Sequence, residues 1–131
     1  MISDYLIALL DWCKVKIFLW NRRSNIFFKE GEVWWCSIGI NVGVEILGKG
    51  KRFERPVLIF KKFDQNSFLG IPLTTQLKDG TWYVPTVLRG KIGRAVLNQI
   101  RIFDKRRLIN EIGTISNENF LEIRKALFNL L

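Results

Sequence analysis

The sequence predicts a small, mainly β domain of the α+β class, in which five or six short strands form a barrel and a helix lies at each end of the chain. Short runs rich in Val, Ile, Leu and Phe alternate with turns rich in Gly, Pro, Asn and Asp, which is typical of strands with tight connections. The first and last segments instead carry apolar residues at helical spacing. The 131 residues fit one domain, and a hydrophobic share of 48% suffices for a packed core.

The first element is a helix predicted from residue 2 to about residue 20, with Ser3 as its N-cap. Its apolar positions recur at helical spacing: Ile2, Leu6, Leu9, Cys13 and Ile17, widened by Tyr5, Leu10 and Trp20. We expect this face to pack on the barrel. The alternative is that basic residues extend a surface toward a partner: Lys14, Lys16, Arg22 and Arg23. We assign residues 1–26 to this helical extension and residues 27–131 to the barrel domain.

The first strand is predicted at residues 32–38, after Gly31. Trp34 and Trp35 must point to opposite faces of this strand, so one of them is expected in the core. A long loop follows at residues 39–52, and it contains four glycines and three basic residues. Loops of this length inside a compact domain are often functional.

A β-hairpin is predicted at residues 53–76, because two apolar runs flank the polar turn Asp64-Gln65-Asn66-Ser67. Pro56 marks the start of the first strand, since it lacks a ladder donor. Arg55 enters this strand, whereas Thr74 and Thr75 leave the second strand. The hairpin therefore places a guanidinium and two hydroxyls near the same end of a sheet.

Shorter strands are predicted in the second half of the chain. One strand covers residues 81–84 and ends at Pro85, and a turn lies between Gly90 and Gly93. Residues 94–97 and 100–103 form either a strand pair or one bent strand. Residues 108–115 are predicted to be a short connector with at most one small strand. Ser116 caps a final helix that reaches Leu131, with one apolar side formed by Phe120, Ile123, Leu127 and Leu130.

The composition narrows the possible functions. The net charge of +9 favours an anionic partner, which can be nucleic acid, a membrane surface or an acidic protein, or else it only solubilises the surface. The absence of histidine excludes a Ser-His-Asp triad, a histidine-based ribonuclease and the usual catalytic zinc sites. Cys13 and Cys36 form no CxxC pair, so we predict reduced thiols, no metal and no cofactor. No apolar run approaches the roughly 20 residues of a membrane span, and signal-peptide features are absent, so we expect a cytoplasmic protein without membrane contact.

Several motifs resemble the MazF/PemK toxins, which are small metal-independent endoribonucleases of toxin–antitoxin pairs. The hairpin carries the clearest of them, Arg55-Pro56-Val57-Leu58-Ile59 followed by Ile71-Pro72-Leu73-Thr74-Thr75-Gln76. The others keep the family's order: Gly31-Glu32-Val33-Trp34-Trp35, Asn41-Val42-Gly43-Val44-Glu45, the segments 97–104 and 105–108, and Gly113-Thr114-Ile115-Ser116. The resemblance covers about residues 28–131. It implies an SH3-like barrel and cleavage of single-stranded RNA through attack by the RNA's own 2′-hydroxyl.

The resemblance implies that Arg55 and Thr74 are catalytic. A guanidinium fork matches phosphate oxygens, and a hydroxyl donates to the same phosphate. Without the resemblance, the residues favour structural roles. Arg55 would form a surface ion pair with Glu54 or Glu45, and Thr74 and Thr75 would only cap a strand end. Many relatives carry an acidic residue where this chain has Asn98, so we assign the general base to Glu45, which aligns with a family glutamate.

The predicted RNA-binding residues are Lys49, Lys51, Arg52, Thr75, Gln76, Gln99 and Arg101, with the long loop acting as a basic flap. Gln99 has an alternative role, which is only to fix a turn. The resemblance further implies a homodimer and an antitoxin whose acidic segment crosses the basic groove. Two rival functions remain open: a catalytically inactive module that binds RNA or protein because Asn98 replaces the acid, and a poison of gyrase, a topoisomerase.

Overall fold

The computed structural model describes residues 2–131, with side chains from Asp4 onward. Within these residues, two helices flank seven strands. In chain order the elements are α1 (Ile2–Asn21), β1 (Glu32–Ser37), β2 (Glu54–Lys62), β3 (Ser67–Thr74), β4 (Tyr83–Leu88), β5 (Lys91–Val96), β6 (Arg101–Asp104), β7 (Leu108–Thr114) and α2 (Asn117–Leu130). Short 3-10 helices precede β6 (Leu97–Gln99) and β7 (Lys105–Arg107).

The strands form one curled antiparallel sheet in the order β4-β5-β3-β2-β1-β7. β6 pairs with the first half of β3, while β5 pairs with its last two residues. Among the described residues no ladder joins β7 to β4, so the barrel stays open on that side. The predicted mainly β, barrel-type fold with a helix at each end is confirmed, with seven strands instead of five or six.

The predicted hairpin is present as β2 and β3. Its turn is stabilised by Asp64, whose Oδ1 accepts hydrogen bonds from the Asn66 amide at 2.8 Å and from the Ser67 hydroxyl at 3.0 Å. These hydrogen bonds, the Asn66 amide above all, lower the pKa of the Asp64 carboxyl. The Asp64 side chain thus makes the hydrogen bonds that close the turn, as expected for an Asp in a segment rich in Asp, Asn and Ser.

Both faces of the central strands are buried. Val57 and Ile59 belong to one apolar cluster, and Leu58 between them belongs to the other. This explains why β2 has a continuous apolar run instead of an alternating pattern. On β1 the two tryptophans separate as predicted: Trp34 is 7% exposed and Trp35 is 38% exposed.

Three assignments in the second half of the sequence were wrong. Pro85 does not end a strand but lies inside β4, opposite Arg94. β4 is the edge strand of the sheet, where a residue without an N–H is tolerated. Residues 108–114 are not a connector but the full strand β7, paired with β1 through two register irregularities. β5 and β6 are separate strands that pair with β3 and not with each other.

The predicted N-terminal helix is confirmed as α1, but its predicted packing face was wrong. Trp12 and Leu19 are buried, whereas Leu6 is 52% and Ile17 is 63% exposed. The Trp12 ring lies edge-on to Phe53, with 5.5 Å between ring centroids. α1 begins at Ile2, one residue before Ser3, and the predicted Ser3 cap involves a side chain outside the described part. Among residues 2–131, neither helix has the length and apolar character required to cross a membrane.

The predicted cap of the C-terminal helix is confirmed. Ser116 Oγ accepts a hydrogen bond from the Asn119 amide at 3.1 Å. The buried Asn119 side chain then joins α2 to the edge strand, donating to the Pro85 carbonyl and accepting from the Val87 amide, each at 3.0 Å. Ile123 is fully buried on the same helix. α2 therefore covers one face of the sheet and leaves the other face to the candidate site.

Candidate active site

The register of the hairpin places Arg55 beside Thr74. The ladder of β2 with β3 ends at Val57 with Pro72, and the same register continued for two residues on each strand puts Arg55 level with Thr74. The Arg55 guanidinium reaches across β3 accordingly, since its Nη1 donates to the Leu73 carbonyl at 3.5 Å. Directly opposed residues of antiparallel strands point to the same face of a sheet. The guanidinium and the Thr74 hydroxyl therefore share one face.

Arg55 is held by backbone carbonyls. Besides the bond to Leu73, its Nε donates to the Leu47 carbonyl at 2.7 Å. No ion pair of Arg55 with Glu54 or Glu45 occurs within the described part of the chain. Burial lowers the pKa of this half-buried guanidinium, which nevertheless stays charged. The side chain is thus oriented without being neutralised by a carboxylate.

Thr74 lies at the end of β3 and stabilises the turn after it. Its Oγ1 accepts a hydrogen bond from the Gln76 amide at 3.2 Å, which is the capping geometry considered as the alternative role. A hydroxyl that accepts one hydrogen bond still has its own proton to donate. Thr75 and Gln76 follow in this turn, and both are exposed.

A second arginine, which no sequence motif indicated, adjoins Thr74. Arg94 on β5 is the direct register partner of Thr74. Its Nε donates to the Lys78 carbonyl at 3.2 Å and its Nη1 to the Gly93 carbonyl at 3.1 Å. Thr74 therefore lies in a row between two guanidinium-bearing side chains. Only the pairing of β3 with β5 reveals this, because Arg94 is distant in sequence from the hairpin.

The long loop is fixed over the same face by Gln99. The Gln99 side chain accepts a hydrogen bond from the Ile46 amide and donates one to the Val44 carbonyl, each at 3.1 Å. These two contacts bracket Glu45. The exposed Glu45 side chain accepts from the Val42 amide at 2.8 Å. Both functional groups of Gln99 are thus occupied within the chain, in agreement with the alternative role considered for this residue.

The three basic residues of the loop lie in a shallow depression of about 370 Å³, which Glu54 also lines. These residues are Lys49, Lys51 and Arg52. Consecutive strand residues point to opposite faces, so Glu54 and its neighbour Arg55 face different sides of the sheet. The loop cations are therefore close to Arg55 in sequence, but they lie on the other side of the sheet, around its edge.

Arg101, the last of the predicted RNA-binding residues, begins β6 and is exposed. Its guanidinium lies 4.6 Å from the centroid of the Phe103 ring. Phe103 belongs to the same apolar cluster as Val57. Val57 is two residues after Arg55 on β2, so the two residues point to the same face of the sheet. Arg101 is therefore on the same face of the sheet as Arg55, on a strand beyond β3.

The curled sheet, the closing C-terminal helix and the net charge of +9 describe a small basic, mainly β protein. The chain belongs to the family of PemK-like, MazF-like toxins of type II toxin–antitoxin systems, whose sequence profile matches residues 29–131. The protein is accordingly a MazF-type toxin of a toxin–antitoxin system. No curated protein matches this sequence.

Solved structures share the fold at low sequence identity. MazF from Deinococcus radiodurans superposes with a TM-score of 0.63 at 19% identity, covering 81% of this chain and 97% of that one. A mycobacterial endoribonuclease in complex with its cognate antitoxin gives 0.62 at 18%, covering 79% and 93%. The MazE–MazF complex from Deinococcus radiodurans gives 0.59 at 15%, covering 81% and 96%. None of the three covers the whole of this chain.

Proposed function

We propose that this toxin is a metal-independent endoribonuclease that cleaves single-stranded RNA, including mRNA, at selected sequences. The observation that carries the proposal is the pairing on one face of the Arg55 guanidinium, which has no carboxylate partner among the described residues, with the Thr74 hydroxyl. A cationic fork beside a hydroxyl donor is suited to a phosphodiester. Two relatives of the same fold are described as endoribonucleases, which also supports the proposal.

In the proposed reaction the RNA 2′-oxygen attacks the adjacent phosphorus and the 5′-oxygen of the next nucleotide leaves. The products are a 2′,3′-cyclic phosphate and a 5′-hydroxyl. Arg55 stabilises the charge that develops on the phosphate oxygens, and Thr74 orients the phosphate through its O–H. Arg94, the register partner of Thr74, adds positive charge to the same row.

The proposed general base is Glu45. It would take the proton of the 2′-hydroxyl, and the departing 5′-oxygen would gain a proton from water. Asn98 lies in the short 3-10 helix beside Gln99 and has no acidic function. Because Gln99 holds the residues on both sides of Glu45, it acts in this proposal as a positioning residue for the base.

The proposed partners are single-stranded RNA, a second copy of the chain and an antitoxin. The net charge of +9 suits both the RNA and an acidic antitoxin segment. Relatives in complex with an antitoxin or with MazE support the third partner. RNA would cross the face that carries Arg55 and Thr74, with Thr75, Gln76 and Arg101 along its path, and would bend around the sheet edge to reach the loop cations Lys49, Lys51 and Arg52.

The proposal is tested by incubating the purified toxin with a long single-stranded RNA in EDTA, beside Arg55→Ala and Thr74→Val. We expect discrete fragments with 5′-hydroxyl ends from the wild type and at least a hundredfold slower cleavage by both variants. Arg89→Ala is the matched control, because Arg89 also donates to a backbone carbonyl, Ile112 at 3.1 Å, but lies in the turn between β4 and β5, away from Thr74.

Intact RNA across several sequences and temperatures would overturn the enzyme proposal. RNA binding that weakens with salt but leaves the RNA whole would identify the inactive binding module instead. Inhibition of gyrase with intact RNA would identify the topoisomerase poison. Cleavage lost equally in Arg89→Ala would contradict the assigned site.

A further inference from the structure

A recess of about 510 Å³ opens where the connector after α1 meets the turn of the β2–β3 hairpin and the corner between β6 and β7. We call it the connector recess. Four cationic side chains and one carboxylate line it: Arg22, Arg23, Lys105, Arg106 and Asp104. The lining thus has a formal charge of +3 at neutral pH. A concave surface with one predominant sign of charge concentrates ligands of the opposite sign, so the recess suits an anion.

Two of the four cations are fixed in place, and two are free to bind a ligand. Arg22 Nη1 donates to two backbone carbonyls of the corner between β6 and β7, at 2.8 and 3.0 Å. Arg106 holds Asp104 through two hydrogen bonds of 2.9 Å, so the single carboxylate is already paired. Within the described residues, the side chains of Arg23 and Lys105 have neither a hydrogen bond nor an ion pair. The recess therefore contains two positive charges that no acidic side chain neutralises.

An exposed aromatic ring borders this recess. Trp20 lies in the last turn of α1, and its carbonyl accepts a hydrogen bond from Arg106 Nη1 at 2.9 Å. The Arg106 guanidinium lies 5.3 Å from the centroid of the Trp20 ring. Even with this contact, 72% of Trp20 is exposed, so ring surface is left for a ligand. Exposed rings next to cations are the combination that binds single-stranded nucleic acid, because bases stack on the rings while the cations hold the phosphates.

We propose that the connector recess and Trp20 form a second binding site for single-stranded RNA, away from the phosphate that reacts. Arg23 and Lys105 bind backbone phosphates there, and a base stacks on Trp20. This inference rests on the proposed function, which supplies the RNA. An acidic peptide would use the cations equally well but has no base to stack on the exposed ring, and for this reason RNA is the favoured occupant.

The position of this second site fits one continuous RNA strand. β6 pairs with β3 so that Asp104 lies opposite Ser67, and Thr74 ends β3 seven residues further on. The two sites are therefore separated by about 23 Å along β3, at about 3.3 Å per residue. Small barrels that bind single strands cover about 4–16 nucleotides, so one strand reaches both sites. Part of the recess comes from residues 22–25, ahead of the segment 29–131 that matches the family profile, so we expect the site in this chain and not throughout the family.

Binding of an RNA analogue that cannot be cleaved tests the site. The probe is a fluorescein-labelled 20-mer of 2′-O-methyluridine, which lacks the attacking hydroxyl, and fluorescence anisotropy with the full-length protein gives the affinity. We expect the double variant Arg23→Ala with Lys105→Ala to bind at least fivefold more weakly. The magnitude of the slope of log K against log salt concentration should fall by about 1.4, for two phosphate contacts of about 0.7 each. Trp20→Ala should weaken binding about fivefold or more, whereas Trp20→Phe keeps a ring and should bind within twofold of the wild type.

Matched variants on α2 separate the site from general charge and exposure. Arg124→Ala with Lys125→Ala removes the same charge from exposed positions, and Phe128→Ala removes an aromatic side chain that is 79% exposed. Both should bind the probe within twofold of the wild type. The proposal is wrong if the two double variants weaken binding equally, because the effect would then be one of net charge alone.

Unchanged probe affinity in the double variant of Arg23 and Lys105 would also overturn the proposal. If that variant binds a labelled peptide of twenty glutamates more weakly than the wild type does, while its RNA affinity is unchanged, the recess belongs to an acidic protein segment instead. The result is separable from that of the proposed function. A toxin that cleaves RNA but binds the probe equally well in all variants lacks the second site. A protein that never cleaves RNA yet loses probe binding in the recess variants has the second site without the proposed activity.

Discussion

Arg55 is oriented by two carbonyl oxygens instead of a carboxylate. The carbonyls of Leu47 and Leu73 come from the long loop and from β3, so the guanidinium also joins these two segments. An arginine fixed in this way keeps its full charge for a ligand. The Nε–H donates to Leu47 and the planar fork donates to Leu73. A lysine side chain has neither group.

We therefore expect Arg55→Lys to slow RNA cleavage by about 10²- to 10³-fold, similar to the loss of one oriented donor in other active sites. The measurement is the single-turnover cleavage rate of a fluorescent RNA. Arg89→Lys serves as the control and should cleave at the wild-type rate. Near wild-type cleavage by Arg55→Lys would show that only a positive charge is required at this position.

Gln99 holds the long loop through one side chain. Substitution to alanine removes both hydrogen bonds to Val44 and Ile46, while the fold of the sheet does not depend on them. We expect Gln99→Ala to cleave RNA at least tenfold more slowly and to be cut faster by trypsin after the loop cations. The control is Asn98→Ala, an exposed neighbour, which should resist trypsin like the wild type. Equal proteolysis of the two variants would contradict this role of Gln99.

Cys36 is a fully buried thiol, and burial raises its pKa to about 12 from 9.0, against the opposing effect of Arg107 and Arg101. The folded protein therefore keeps the proton that the unfolded chain loses above pH 9. The stabilisation is complete below pH 9 and is lost as pH rises toward 12.

We expect the difference in unfolding free energy between Cys13→Ser and Cys13→Ser with Cys36→Ala to shrink above pH 9. A decrease on the order of 1–2 kcal/mol between pH 9 and pH 10.5 follows from the shift. Urea unfolding at pH 7.5, 9 and 10.5 provides the measurement. Other titrating groups are common to both proteins and cancel. A constant difference across this range would contradict the protonated, buried thiol.

At the scale of elements, α1 packs on the domain through Trp12 and Leu19, and the Trp12 ring lies directly against a glycine. A Cβ built on Gly39 would lie within van der Waals overlap of Trp12, whose buried ring also contacts Phe53. Arg107 adds a guanidinium 5.8 Å from the centroid of the same ring. Phe53 opens the hairpin two residues before Arg55, so the docking of α1 supports the segment that leads into the site.

We expect Gly39→Ala to destabilise the protein by about 1–3 kcal/mol more than Gly43→Ala, because only the former forces an overlap. Both glycines have positive φ, +86° and +59°, so backbone strain is common to the two variants. Gly43 has open space around its position for a Cβ. Thermal unfolding followed by circular dichroism gives the comparison. Equal melting temperatures would show that the Trp12 contact does not hold α1.

At the scale of the whole molecule, the net charge of +9 predicts RNA binding that depends strongly on salt. Each phosphate contact to single-stranded nucleic acid contributes about −0.7 to the slope of log K against log salt concentration. The depression at the sheet edge groups three of the cations, Lys49, Lys51 and Arg52.

We expect alanine substitution of these three residues, in an Arg55→Ala background that does not cleave, to reduce the magnitude of this slope by about 2. The measurement is fluorescence anisotropy of a labelled RNA at several salt concentrations. The matched control removes three exposed charges elsewhere: Lys91, Arg124 and Lys125. A change in slope that is equal in the two triple variants would indicate a diffuse charge effect instead of specific phosphate contacts.

The sequence by itself determined the elements that depend on local chemistry. The hairpin followed from its apolar runs and the polar turn at Asp64, the C-terminal helix from the Ser116 cap, and the separation of Trp34 and Trp35 from strand alternation. These features depend on residues close in sequence, so turn preferences, helix capping and strand alternation predict them without knowledge of the tertiary structure. The motifs that carry the family resemblance are likewise short local segments. The hairpin pattern alone predicted that Arg55 and Thr74 lie near the same end of a sheet.

Only the tertiary structure decided the features that depend on pairing between distant segments. It made residues 108–114 a strand because β1 offered an open edge, and it admitted Pro85 into β4 because that strand has no neighbour on one side. It placed Arg94 opposite Thr74 through the β3–β5 register. It also reversed the packing face of α1, since Trp12 finds space at Gly39 while Leu6 and Ile17 do not face the domain. Helical spacing shows that a face is apolar, but the contacts available in the fold decide which face is buried.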